Sequence, residues 1–583
     1  MVTMPRADVV IVGAGWTGLV MAKEIATRTP LSVVVLERGG QVRTMAQYAA
    51  GMDELDFVIR LRMKQNIAEQ PYTHRRAPNE TAKPVRQWGA FQQGIGVGGE
   101  GEAWSGTTPR FLPEQFELAS HLRRKYGSRL PDDLSVQDWG FTYGELEPYY
   151  WRAEQMLGLS GKAGNLRGKK VPGGNVFEGP RSHEYPLPPH PYPYLAVLFE
   201  KGTKELGYHP FPLPAATPSG VYTNPDGVTR PPCQYCGHCG LYGCMIGAKA
   251  TPTSTMLPII KTKRNVTLRT RSWVRRVIHR NGKAEGVVYV DAAGKEVMQP
   301  ADVVVLSSWS MNNVSRLMLS GIGDPYDPNT GKGTLGKNFT TEVGGSTDVF
   351  FDKPLNGFIG GGGVGNAIGD FVGDPPDADV SAGVFRGGLI RTLLGGQSPI
   401  TAFGRVPQGE VKSNWGAEWK KAGINWYDRQ LSVQANASHF AYRQNYVDLD
   451  PTYTDKWGDP VLRVTMNWTD HEVRQSRMLG RVQQAIATAM GAKAHSFRGN
   501  QQPYDASRAH DTHVQGGAIM GNSPETSVVN TWLQHWKMPN LWVVGGSAFP
   551  QNESNPTLTL IALTYRAVDA LIDRYFKKPG ALA

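Results

Sequence analysis

The chain has 583 residues, with 62 Lys and Arg against 51 Asp and Glu and a formal net charge of +11. That length suffices for two or more domains around a large core, and no run of roughly 18 apolar residues is present to cross a bilayer as a helix. The charge predicts acidic partners, while the lack of a Lys/Arg block, a zinc-finger pattern or an RNA-binding signature argues against nucleic acid.

The first elements form a βαβ unit. Val9 to Val12 reads as a buried parallel strand, Leu19 to Ala26 as a helix and Leu31 to Leu36 as a second strand. Gly13, Gly15 and Gly18 place G-x-G-x-x-G at the strand-to-helix turn. Glycines there permit the tight turn, the approach of a pyrophosphate and close packing of helix on strand. Glu37, at the end of the second strand, is positioned to accept from a ribose hydroxyl and favours a plain ribose over a 2′-phosphate. The pattern does not separate FAD from NAD. Because the first strand begins within about nine residues of Met1, there is no room for a secretory signal peptide, and export would need another carrier.

A polar, mixed segment follows to about Trp88, then a second glycine cluster from Gly94 to Gly106 whose charged and aromatic insertions suit backbone wrapped around a flat ligand. Tyr143 to Met156 reads as a helix, and the proline-rich stretch from Pro186 to Pro193 as an extended segment framing an entrance or a partner surface. All four cysteines, Cys233, Cys236, Cys239 and Cys244, fall in one twelve-residue window. Loops closed over so few residues constrain little, so these thiols read as metal ligands rather than a disulfide framework. The spacing C-x2-C-x2-C-x4-C suits either a zinc lobe or an iron-sulfur cluster.

From Asn265 to Gly323 the α/β grammar returns, with strands at Val266 to Arg269, Gly286 to Val290 and Val303 to Leu306 and a helix from Met311 to Leu319. Residues 345–497 alternate apolar stretches with glycine-rich turns, which predicts a second domain on an antiparallel sheet, with an amphipathic helix from Met478 to Met490. Near the end, Leu541 to Val544 reads as a strand and Thr557 to Tyr575 as a long helix, so the C-terminus adds a strand to the nucleotide-binding sheet. The fold class is α/β plus α+β.

Taken together, GAGWTG with Glu37, GVGGEGEAWSG, the segment WVRRVIHRNGKAEGVVYVDAAG leading to VVVLSSW and MLSGIG, LGKNF, HVQGGAIMG and SNPTLTLIAL resemble the glucose-methanol-choline (GMC) oxidoreductases. The cysteine window makes the chain similar to the catalytic flavoprotein subunits of bacterial membrane-bound sugar and sugar-acid dehydrogenases. The resemblance implies a Rossmann-like FAD-binding domain over residues 1–344, with a substrate-domain insertion at about 110–220 and an iron-sulfur segment at about 230–250. It further implies a substrate domain over 345–497 and a return to the FAD domain over 498–583. The implied FAD contacts are Gly13, Gly15, Trp16, Thr17, Gly18, Glu37, Arg38, Gly98, Gly99, Trp104, Ser105, Val274, Gly546, Ser547, Pro556 and Thr557.

His513 matches the family's catalytic histidine and Asn555 its partner, with His510 a rival base. A histidine takes the hydroxyl proton while hydride leaves carbon, and an amide holds the alcohol oxygen. The four cysteines are implied ligands of an iron-sulfur cluster, 3Fe-4S before 4Fe-4S. The implied partners are a small subunit with a twin-arginine signal and a multihaem cytochrome c subunit, through which alone the chain would meet the membrane, on the periplasmic face of the inner membrane. The leading reaction is D-gluconate to 2-keto-D-gluconate. 2-Ketogluconate, sorbitol, fructose or glucose are alternative substrates, and an oxygen-using oxidase with structural zinc or a non-catalytic electron relay are alternative functions. Two positions depart from the family pattern: Gly545 stands where many relatives have an acid, and Trp309 where a glycine is usual.

Overall fold

The computed structural model describes residues 1–40, 45–50, 54–59, 62–86, 91, 93–374, 384–393, 399–507, 513–552 and 554–582. Its nucleotide-binding half is a parallel sheet in which Val266–Arg269, Val33–Leu36, Ala7–Val12, the second half of Glu296–Leu306 and Leu541–Val543 lie side by side. These strands are almost continuous runs of Val, Leu and Ile because both faces are covered, and Val9, Val10 and Ile11 are fully buried. The helix Trp16–Arg28 packs against Thr557–Ala570, so the two ends of the chain close the same layer.

Glu296–Leu306 serves two sheets. Residues 301–306 pair in parallel with Ala7–Val12, whereas 296–300 pair antiparallel with the strand Lys283–Val290, which continues to Trp273–Arg280. Only Val303 to Leu306 is visible as an apolar run. The first half alternates polar and apolar residues, as a strand with one covered face does.

The second half is built on a six-stranded antiparallel sheet ordered Ala494–Gly499, Val343–Phe350, Gln430–Ala437, Gly388–Leu393, Asn366–Ile368 and Pro210–Pro212. The helix Asp470–Ala489 packs across it. It starts well before Met478 because Thr469 and Glu472 form a capping box, with the Thr469 N–H donating to Glu472 Oε2 at 2.9 Å. Strands Tyr446–Thr454 and Pro460–Thr465 form a separate sheet with Thr73–Arg75 and Lys83–Pro84, and 463–465 run parallel to 73–75. The polar segment after Gly40 therefore contributes to tertiary structure beside the site. Among the described residues, no helix is long and apolar enough to cross a membrane.

Candidate active site

The glycines of the first turn divide by what surrounds them. Gly13 has φ +103°, and a Cβ there would meet Ser307 O at 2.4 Å; a Cβ on Gly18 would lie 2.0 Å from Gly13 O. Those two are demanded by the chain's own packing. At Gly15 the nearest atom to an added Cβ is Gly98 O at 4.0 Å, at Gly99 it is Gly15 Cα at 3.6 Å, and at Gly545 it is Asn313 Nδ2 at 3.8 Å. These three leave a hollow at the start of Trp16–Arg28, whose N-cap, Gly15, has no side-chain cap, so first-turn N–H groups remain to bind an anion. The cradle fits the pyrophosphate of FAD. Gly15→Ala is expected to leave the fold intact, since its Cβ meets no atom closer than Gly98 O at 4.0 Å, but to lower FAD content by crowding the cradle, measured as flavin per chain beside an unchanged circular dichroism spectrum.

The cradle opens into a cavity of 420 Å³. Of the sequence-derived cofactor residues, Gly13, Gly15, Trp16, Thr17, Glu37, Arg38, Gly99, Trp104, Ser105, Val274, Gly546, Pro556 and Thr557 line it. Gly18, Gly98 and Ser547 stand behind the wall. Gly98 holds the second glycine cluster to the first turn by donating its N–H to Ala14 O at 2.8 Å, and Ser547 Oγ accepts from Asn313 Nδ2 at 3.1 Å. Glu37 has a structural task as well: its carboxylate accepts the backbone N–H groups of Ala14 (3.0 Å), Gly39 (2.8 Å) and Gly96 (3.3 Å), lashing both glycine loops together. Arg38 is stacked over the Trp273 ring, 5.4 Å from its centroid. Trp309 lines the cavity with φ +76° and ψ 160°, a region nearly reserved for glycine that costs about 1–3 kcal/mol.

At its other end the same cavity is lined by His513 and Asn555. His513 is fixed through its backbone: its carbonyl accepts from Asn552 Nδ2 at 2.6 Å, and the next carbonyl, of Val514, accepts from Ser310 Oγ at 2.7 Å. Its Nδ1 lies 2.6 Å from Glu342 Oε2. The contact is an ion-pair approach outside regular hydrogen-bond geometry, and a neutral imidazole that carries its proton on Nδ1, the side of this carboxylate, has Nε2 as its proton acceptor. Burial disfavours the charged ring, but the Glu342 carboxylate outweighs it and raises the His513 pKa above 6.5, with Arg391 opposing. Asn555 is 4% exposed, adopts a left-handed φ of +51° just before the helix Thr557–Ala570, and its Oδ1 accepts from Ser554 Oγ at 3.1 Å. His510 lies outside the described residues.

Glu342, Arg391, Gln434 and Asn436 complete the far wall, brought there by the antiparallel sheet, and sequence reading did not single them out. Their signal is tertiary: Arg391 and Gln434 are cross-strand partners, and Gln434 and Asn436 share a face two residues apart. Because the raised His513 pKa lies in the folded state, its ion pair stabilises the fold fully below pH ~6.5 and is lost as pH rises through the folded value. A base must be unprotonated, so kcat/KM is expected to rise with pH through a pKa above that of free histidine. Glu342→Gln should move this limb to lower pH, read from the pH profile.

The cysteine window borders the cavity, where Gly240 and Leu241 form part of the wall. All four thiols are free, with Cys239 buried and the others half-buried. Burial pushes Cys233 up to about 12 and Cys239 up to about 11. The N–H groups of Tyr235 and Lys249 point to Cys233 Sγ and Cys244 Sγ, each at 3.4 Å. Among the described residues, however, no three His, Cys, Asp or Glu side chains form a group that could hold a metal ion. The loop is instead pinned by the fully buried Lys249, whose Nζ donates to the carbonyls of Glu102, Trp104, Cys239 and Tyr242 at 2.8–3.0 Å.

A dinucleotide cradle on a parallel sheet, opening onto a histidine and an amide beside an antiparallel sheet, defines a flavin-dependent oxidoreductase of alcohols. The chain belongs to the GMC oxidoreductase family, whose profiles match residues 212–343 and 441–564, and an FAD binding domain profile matches residues 8–87. It is 39% identical over 592 residues to the gluconate 2-dehydrogenase flavoprotein of Pantoea cypripedii, covering 99% of this chain and 95% of that one. It is 26% identical to the fructose dehydrogenase large subunit of Gluconobacter japonicus, over 97% and 98% of the two chains. Among solved structures, pyridoxine 4-oxidase from Mesorbium loti shares the fold, with a TM-score of 0.63 and 15% identity over 99% of this chain and 100% of that one. The protein is thus an FAD-dependent enzyme oxidising the CH–OH group of an alcohol, of the sugar and polyol dehydrogenase type.

Proposed function

We propose that the protein is the catalytic subunit of a D-gluconate dehydrogenase that yields 2-keto-D-gluconate. The observation that carries this reading is the His513–Glu342 pair, which lines one cavity together with Asn555 and the glycine cradle. The 39% identity to a gluconate 2-dehydrogenase flavoprotein supports the substrate. His513 Nε2 accepts the hydroxyl proton, Glu342 holds Nδ1 and stabilises the imidazolium that results, and Asn555 fixes the alcohol oxygen. When bound, FAD supplies the acceptor for the hydride. Gly13, Gly15, Thr17, Gly99 and Gly546 line the cradle that would hold it.

The reading extends to electron exit at the cysteine window, with an iron-sulfur cluster, a multihaem cytochrome c subunit and export to the periplasmic face beside a small twin-arginine-signal subunit. Its support is the family resemblance and the contact of Gly240 and Leu241 with the cavity. Metal analysis and electron paramagnetic resonance of the air-oxidised protein, before and after anaerobic gluconate, test this extension. A three-iron signal bleached by gluconate is expected. Zinc without iron, and peroxide formed on turnover in air, would replace it with an oxygen-using oxidase.

A further inference from the structure

We infer that Arg391 is the anchor for a carboxylate on the substrate, so that this cavity selects a polyhydroxy acid over a neutral sugar or polyol of the same size. The inference rests on the alcohol-oxidising reading of the same cavity and names the residue that sets its substrate class.

Arg391 is 6% exposed and lines the cavity that holds His513 and Asn555. Its Nη1 donates to Thr107 Oγ1 at 2.8 Å and its Nη2 to Gln434 Oε1 at 3.0 Å, which orients the guanidinium, but both partners are neutral. Its Nε is buried without a hydrogen-bond partner, and among the described residues no carboxylate lies within ion-pair distance. A buried guanidinium without a counter-ion is costly, and a carboxylate is the group whose geometry its fork matches. The nearby acid, Glu342, has one oxygen committed to His513.

Two further orphans mark the same wall. Glu342 Oε1 and Asn436 Oδ1 are buried without partners, and both are acceptors. One unpaired donor on a cation beside two unpaired acceptors is complementary to a carboxylate followed by hydroxyl groups. A second, wider cleft shares Glu342, Gln434 and Asn436 with the first cavity. Its sides carry Arg75, Arg76, Lys83, Arg86 and Arg498 against Glu80 and Asp505. Arg75, Arg76 and Arg498 are paired with Asp448, Glu80 and Asp348, so among the described residues Lys83 and Arg86 are the cations of this cleft left to face an incoming anion.

The test compares D-gluconate with D-gluconamide, its uncharged counterpart, on the FAD-loaded protein. Wild type is expected to prefer gluconate at least about 100-fold in kcat/KM, with the preference shrinking as salt is raised, because an anionic substrate is steered and the amide is not. Arg391→Met should raise the KM for gluconate by about 100-fold or more, far beyond its effect on gluconamide, and so collapse the preference. Arg391→Lys keeps the charge but not the fork and should fall between. Binding is read independently from the perturbation of the oxidised flavin spectrum in the slow His513→Asn background. A wild type with no preference for the acid overturns the inference without recourse to any variant, as does Arg391→Met with the preference intact. Failure of gluconate, gluconamide and neutral sugars alike to reduce the flavin would instead overturn the reading of the cavity and the inference with it.

Discussion

His513→Asn is expected to lower kcat by about two to four orders of magnitude while FAD content and the KM for gluconate change little. The side chain has one role in the chemistry, to receive the hydroxyl proton, and its placement owes little to its own packing. Its backbone is held by Asn552 and Ser310, and 22% of the side chain remains accessible from the cavity. Removing the imidazole takes away the base and leaves Glu342 without the partner of its Oε2, so a modest shift in thermal stability accompanies the kinetic loss. That stability difference should be larger at pH 5.5 than at pH 8, since the ion pair is present in full only below the pKa of unfolded histidine, about 6.5. A kcat within tenfold of wild type would remove His513 from the chemistry and point to a base elsewhere.

Lys249→Met is expected to be the most destabilising single change outside the catalytic cavity, costing about 3–5 kcal/mol. The ammonium is fully buried and has three protons for four carbonyls, which belong to two loops: Glu102 and Trp104 in the second glycine cluster, Cys239 and Tyr242 in the cysteine window. Methionine fills the space but strands all four acceptors. The window should then part from the cavity wall, which is readable as a lower unfolding temperature, weaker FAD retention and faster reaction of Cys239 with a thiol reagent. Unchanged unfolding and an unreactive Cys239 would show that the two loops hold together without the lysine.

The parts legible in the sequence are those whose signal is local. Gly13, Gly15 and Gly18 sit in a strand-turn-helix whose apolar runs announce it; the first strand and the helix so read fall within Ala7–Val12 and Trp16–Arg28, while the second strand begins at Val33, two residues after the Leu31 read from sequence. Trp309 stood out as a departure from a glycine position, and its positive φ gives that departure physical content. Glu37 was legible as an acid at the rim, but its three backbone donors come from loops as far away as Gly96 and belong to no pattern.

The far wall was not legible for a like reason. Glu342, Arg391 and Asn436 are polar residues in or beside ordinary strands, and only the pairing of Val343–Phe350, Gly388–Leu393 and Gln430–Ala437 gathers them. The helix Asp470–Ala489 lost its first turns to sequence reading because Glu472, Gln475 and Ser476 are polar yet fully buried, and Gln475 Nε2 donates to Arg386 O at 2.9 Å. The cysteines present the opposite case: their spacing is conspicuous, while their placement is governed by Lys249 and by pairing of Cys236 with Gly360.

The measurement that bears most directly on the central claim is anaerobic mixing of the FAD-loaded protein with D-gluconate, wild type beside His513→Asn, followed through the absorbance of the oxidised flavin. Rapid bleaching in the wild type, slowed at least about 100-fold in the variant and accelerating with pH through a pKa above that of free histidine, is the predicted result. Bleaching at equal rates in both proteins, or a pH-independent rate, would contradict the assignment of His513 as the group that takes the proton.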